Sequence, residues 1–166
     1  AGDGPPSVTK SSDGYLFVSA CGVLTSDTCV VAKSIDGDGD TWSDTAFDTV
    51  TITDNLDQLQ ILPISGGDIL GIFQDMSTND VSSLEYDEAT DSWGNEQIID
   101  ASWVENTSFD FTWGAATAST TDNVYLVGPN AIQSATGDMM AYKFTDATRG
   151  WNTLTPVVED DDEILQ

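Results

Sequence analysis

The chain of 166 residues contains no histidine, two cysteines, one arginine and three lysines. Each scarcity removes a class of chemistry. Without histidine, and with only two thiols, the usual general base near neutral pH and the usual thiol nucleophile are missing. Two cysteines with no histidine also fall short of the four ligands of a structural zinc site. Four cations, Lys10, Lys33, Lys143 and Arg149, stand against 29 acids, giving a formal net charge of -25. Such a surface repels phosphate backbones and anionic bilayers, so neither nucleic acid nor membrane insertion is expected. No run approaches the roughly eighteen apolar residues of a membrane span, and no basic stretch followed by an apolar one opens the sequence. Helical periodicity is missing too, since no apolar pattern of period 3.6 outlasts a turn or two.

What is present is aromatic and strand-like. Five Trp, six Phe and four Tyr are spread along the chain, which opposes disorder because unfolded segments lack the groups whose burial offsets ordering entropy. Self-repulsion at this charge weakens in brine, where the Debye length at about 1 M salt is only about 3 Å. The composition therefore favours a halophilic or marine source, or else a secreted acidic protein charge-balanced by calcium. Cys21 and Cys29 flank a short loop between two strand-like runs, so they are expected to form a disulfide, which implies an oxidising, extracellular or cell-surface location. Asn106-Thr107-Ser108 is a glycosylation sequon compatible with that location.

Strand-like segments bounded by turn residues recur from end to end. The first four are 6–10, 15–20, 29–34 and 42–50; the next four 59–64, 69–74, 81–86 and 96–103; the last four 109–115, 124–128, 139–144 and 151–158. Three of the connecting stretches close alike, in an Asp/Gly/Thr turn followed by Trp42, Trp93 or Trp151. A recurrence of about fifty residues is one small antiparallel sheet of a propeller. The fold expected is all-β, a single propeller-like array over 1–166 with three four-stranded antiparallel blades at about 5–52, 57–104 and 108–160. Small residues on the second strands, Ser19, Ala20, Gly71 and Gly128, suit a crowded propeller axis. Because propellers close with about four to eight blades, three call for completion by another chain or by further blades. Two copies could close a six-bladed ring, or wedges could stack into a filament.

At the turns the chain resembles two neighbouring propeller families. Ser34, Asp36, Gly39, Thr41 and Trp42 are similar to the Asp box of sialidase-like propellers, with one residue inserted around Asp38. Tyr86, Asp87, Ala89, Thr90 and Trp93 resemble the kelch ending, and Asp146, Ala147, Thr148 and Trp151 keep the same pattern. The resemblance implies a structural role: the turn joins the third and fourth strands of a blade, Trp packs on the blade, and Asp and Thr hold the turn.

Sialidase activity is the obvious implication of an Asp box, yet that active site clamps a carboxylate with several arginines and this chain has only Arg149. Pairs of carboxylates for glycoside hydrolysis occur at every spacing among 29 acids and discriminate nothing. Asp36, Asp38, Asp40 and Asp44 also read as alternating oxygen ligands of a calcium loop, beside the alternative of a bulged Asp box. Trp103, Phe109, Phe111 and Trp113 are candidates for stacking on sugar rings, or for core packing at a blade junction, and Met139-Met140 for packing. The function expected is a non-enzymatic extracellular structural or adhesion module that self-assembles through its blades. A glycan-binding lectin is the alternative, and a fragment of a sialidase-like hydrolase the third.

Overall fold

A computed structural model of the chain describes residues 6–21, 29–42, 48–50, 56–75, 80–101, 114–118, 120–130 and 138–154. They form three four-stranded antiparallel sheets in which chain order is spatial order. Blade 1 comprises β1 (Ser7–Lys10), β2 (Leu16–Cys21), β3 (Cys29–Lys33) and β4 (Asp48–Val50). Blade 2 comprises β5 (Leu56–Pro63), β6 (Ile69–Asp75), β7 (Asp80–Asp87) and β8 (Ser92–Asp100). Blade 3 comprises β9 (Gly114–Thr117), β10 (Val124–Asn130), β11 (Asp138–Thr145) and β12 (Gly150–Thr153). Single-turn 3-10 segments at Ser65–Gly67 and Asp146–Thr148 are the only helical elements among the described residues, and none is long and apolar enough to cross a membrane.

β8 begins earlier than its sequence-based extent: it pairs from Ser92, opposite Asp87, where a strand from residue 96 was expected. Trp42 bridges Ser34 and β4 covers Asp48–Val50; residues 43–47 of the expected strand 42–50, and 109–113 of the expected 109–115, lie outside the described residues.

The period-two alternation of β5 and β6 explains the stacking. Leu59, Ile61, Ile69 and Phe73 point to one side, where they pack with Phe17, Cys21, Cys29, Val31 and Tyr86. Leu62, Ile64, Leu70 and Ile72 point to the other, where they join Val81, Val124, Leu126, Tyr142 and Phe144. Blade 2 is thus covered on both faces, which is why its strands read as continuous apolar runs. Blades 1 and 3 each lend one face to these two cores. On their outer faces Val8 is 68% and Tyr125 38% exposed.

The registers place the three tryptophans equivalently: Ser34 faces Trp42, Tyr86 faces Trp93 and Phe144 faces Trp151. Gly71 makes room for Trp93, since a Cβ there would stand 3.1 Å from the indole and 3.2 Å from Leu59. Met140 packs beside the blade 2–3 core.

Cys21 and Cys29 are direct cross-strand partners at the base of the β2–β3 loop and form a disulfide. Intact mass before and after reduction and alkylation is expected to show both thiols oxidised. Replacing both with serine is expected to lower the unfolding free energy by about 2.5 kcal/mol, the chain-entropy value for a loop of about nine residues; an unchanged urea midpoint would contradict this.

Candidate functional site

The chemistry of the described surface concentrates at the turns between third and fourth strands and at the two blade junctions they border. In blade 1, Asp36 Oδ1 accepts from the backbone N–H of Gly39 at 2.8 Å and of Asp40 at 3.2 Å, and Oδ2 accepts from the Thr41 hydroxyl. The Thr41 hydroxyl, together with those N–H groups, holds the Asp36 carboxyl below the usual carboxylate range against a smaller opposing desolvation. Gly39 has φ 75°, a left-handed conformation that glycine adopts without penalty, and its carbonyl accepts from Trp42 Nε1 at 2.9 Å. Ser34 Oγ donates to Asp36 O at 2.6 Å and accepts from Leu16 N at 2.9 Å, tying the turn to β2. The Asp36 carboxylate, one of the four expected calcium ligands, is therefore engaged by its own turn. Asp38 and Asp40 are exposed, and Asp44 lies outside the described residues. Among the described residues no group of three or more acids or cysteines is arranged to hold a metal.

In blade 2, Asp87 Oδ1 accepts from Ala89 N at 2.9 Å, Thr90 and Ser92 hydroxyls lie 2.9 Å apart, and the Tyr86 hydroxyl meets Asp91. In blade 3, Thr148 Oγ1 donates to Thr145 O at 3.3 Å, while Asp146 reaches out of its own turn to accept from Ser65 N of blade 2 at 3.3 Å.

One cation crosses each junction. Lys33 Nζ, on β3, donates to the Tyr86 hydroxyl and to Glu88 of blade 2, both at 3.0 Å. It also stands 4.8, 5.8 and 5.2 Å from the ring centroids of Tyr15, Phe17 and Tyr86, within cation–π range. Burial lowers the Lys33 pKa, but the hydrogen bonds to Tyr86 and Glu88 outweigh it and leave the value raised. Desolvation, helped by Asp91, pushes the Tyr86 hydroxyl up to about 12. Tyr86 packs edge-on against Phe17 at 5.3 Å, so the polar lock sits on the rim of the blade 1–2 core.

Arg149 performs the reciprocal task from blade 3. Its guanidinium lies 2.8 Å from Asp68 and 3.4 Å from Glu85, both on blade 2, and 3.8 Å from Asp146. Its backbone is left-handed, φ 49° and ψ 49°, a conformation that costs a non-glycine residue about 1 kcal/mol. Gln97 Nε2 clamps the Arg149 carbonyl at 2.9 Å, and Trp151 Nε1 donates to Ser83 at 2.8 Å across the same junction. Burial raises the Glu85 pKa, with Asn95 and Arg149 opposing. Around this group opens a polar cleft of about 400 Å³ lined by Asp68, Glu85, Asp87, Thr90, Ser92, Gly94, Asn95 and Arg149.

Trp103, Phe109, Phe111 and Trp113, and the sequon residue Asn106, lie outside the described residues. Sequence reasoning missed Lys33, Asp68, Glu85 and Asn123. Asp68 Oδ1 accepts from Glu88 N at 3.0 Å and Asn123 Oδ1 from Asp146 N at 3.0 Å, a shared tie between the first and third turns of a blade. The available signal was their common place just before the second strands.

Two outcomes test these junctions. Arg149→Gly removes about 1 kcal/mol of left-handed strain but leaves Glu85 and Asp68 without their cation, at about 1–3 kcal/mol. We expect a net loss on the order of 1 kcal/mol in urea unfolding near neutral pH. A raised carboxyl pKa contributes stability below the unfolded value and loses it as pH rises through the folded one. The variant's deficit is thus expected to shrink as pH falls toward the ordinary glutamate value of 4.5; greater stability at neutral pH would contradict this. Lys33 and Tyr86 both have raised folded pKa values, so their contribution is complete below the unfolded values near 10 and is lost as pH climbs toward about 12. Near-ultraviolet circular dichroism is expected to show junction loss in that window together with delayed tyrosine ionisation, and a flat signal through it would contradict the lock.

No protein-family model matches the chain, and no curated protein sequence is similar to it. Similarity appears among solved structures. A NanB sialidase from Streptococcus pneumoniae superposes with a TM-score of 0.65 at 15% identity, over 92% of this chain and 23% of that one. A protein of unknown function from Dyadobacter fermentans matches at 0.53 and 13% identity, over 92% of this chain and 50% of that one. A family 117 glycoside hydrolase from the marine bacterium Zobellia galactanivorans matches at 0.51 and 13% identity, over 93% of this chain and 55% of that one. The chain spans less than a quarter of the NanB sialidase and about half of the other two. At these identities the likeness is one of fold: the chain is an all-β array of sialidase-like propeller blades.

Proposed function

We propose that this chain is a non-enzymatic extracellular module, structural or adhesive, whose outer blade faces are covered by other blades. The observation that carries this reading is the asymmetry of the blades: blade 2 is covered on both faces, while blades 1 and 3 lend one face each to a core. A sheet face left in water keeps apolar surface whose burial is worth about 25 cal/mol per Å². Self-association is the means by which such faces find partners. The lone arginine is engaged with three carboxylates at a junction, which speaks against its serving as an anion clamp for an acidic sugar. The Cys21–Cys29 disulfide supports an oxidising location. Calcium at this turn, expected on Asp36, Asp38, Asp40 and Asp44, belongs to the same proposal only through the exposed Asp38 and Asp40 and through Asp44, since the turn itself engages Asp36; there it would offset the -25 charge.

A second reading, glycan binding, is favoured by the cleft around Arg149, Glu85 and Asn95, whose carboxylates, amide and hydroxyls suit the hydroxyls of a sugar. The likeness to a sialidase and a glycoside hydrolase supports it at the level of fold. Light scattering is expected to show assembly at high ionic strength or with Ca²⁺, and dissociation in dilute buffer with chelator. A compact monomer throughout would contradict the assembly reading. Saturable binding on a glycan array would favour the second, and turnover of a fluorogenic glycoside would overturn the non-enzymatic assignment.

A further inference from the structure

The two internal junctions follow one rule, and the open face of blade 3 is built to the same rule. Lys33, Glu85 and Lys143 occupy the same register position, opposite Phe17, Leu70 and Tyr125 on the second strand of their blades. Each is followed by the residue that faces the blade's tryptophan, Ser34, Tyr86 or Phe144. At both internal junctions the charge at this position meets an opposite charge in the third-to-fourth turn of the next blade. Lys33 meets Glu88, and Glu85 meets Arg149. Lys143 repeats Lys33 in detail: its Nζ lies 5.9 Å from the Tyr125 ring, as Lys33 lies 5.8 Å from Phe17. It stands on the open face.

By this rule the next blade should bring an acidic turn and an aliphatic sheet. Blade 1 has both. Its third-to-fourth turn carries Asp36, Asp38 and Asp40, of which Asp38 and Asp40 are exposed while Asp36 is held by its own turn. Its open sheet face presents Val8 opposite Val18, itself opposite Ala32; the open face of blade 3 presents Tyr125 and the half-buried Val127. Lys10, the other cation on the blade 1 face, donates to Gly37 O of its own blade at 3.4 Å.

We propose that the open face of blade 3 binds the open face of blade 1 of a second copy, with Lys143 of one copy set against Asp38 and Asp40 of the other. The inference rests on the assembly reading above and names its interface. The contact is head-to-tail, so two copies joined twice close a ring of six blades, within the range that propellers occupy. The ion pair lies at the rim of an apolar contact, where salt screens it less than it screens the diffuse -25 charge.

The test uses the full chain under assembling salt. Zero-length carbodiimide coupling followed by peptide mass spectrometry is expected to join Lys143 to Asp38 or Asp40, and sedimentation equilibrium to give about twice 17.7 kDa. Lys143→Glu, with unchanged far-ultraviolet circular dichroism, is expected to weaken association at least tenfold. Adding Asp38→Lys and Asp40→Lys in the same chain should restore it. Any assembly, ring or longer array, that yields this cross-link upholds the proposal. Assembly without the cross-link, or unmoved by Lys143→Glu, overturns the named interface and leaves the assembly reading standing. A monomer under every condition overturns both.

Discussion

Everything in this structure depends on one constraint: a four-stranded blade with apolar residues on both faces cannot exist in water by itself. Alternation along a strand sends Leu59 and Ile61 to one side of blade 2 and Leu62 and Ile64 to the other. Water must be excluded from both sides for either set to contribute. Blades 1 and 3 are the two slabs that do so. The loss of either would expose one complete core face, so the blades stand or fall in series, as in other stacked repeats.

Polar groups set the register of that stack. Ser19 Oγ donates to Leu59 O at 2.9 Å, and Thr117 Oγ1 donates to Pro63 O at 2.9 Å. These bonds take up carbonyls that stacking would otherwise bury without a partner. The two cations act further out, at the rim, where partial exposure moderates both the cost of burying a charge and the attraction gained. Arg149 is the more demanding of the two, because it holds a left-handed backbone to reach Asp68 and Glu85. A chain with 29 acids and four cations has few means of neutralising carboxylates near a core. It places two of those cations where a blade meets the next.

The strands and the tryptophan turns were legible because they are local. Alternation of period two, Gly and Asp at turns, and a Trp at the start of the fourth strand all act over fewer than ten residues, and Trp42, Trp93 and Trp151 fell at equivalent registers. The reach of individual side chains across junctions was not legible. Lys33 finds Glu88 at 55 residues' separation and Arg149 finds Asp68 at 81, and no periodicity within a blade announces such pairs. Asp146 is instructive, since it stands where blade 2 has Glu88, two residues past the one that faces the tryptophan, and the backbone N–H groups of the two donate to Asn123 and Asp68 alike. Their carboxylates nonetheless find different groups on the preceding blade, Lys33 for Glu88 and Ser65 N–H for Asp146.

The central claim is that burial of blade faces, rather than any one bond, organises the molecule and leaves the outer faces of blades 1 and 3 needing cover. Amide hydrogen exchange read strand by strand, in dilute buffer and again under assembling salt, tests it most directly. In dilute buffer β6, sealed on both sides, should exchange more slowly than β2 or β10. Assembly should then slow β2, β3, β10 and β11 while leaving β6 as it was. Equal protection of all three second strands in dilute buffer, or outer strands unmoved by assembly, would contradict the account.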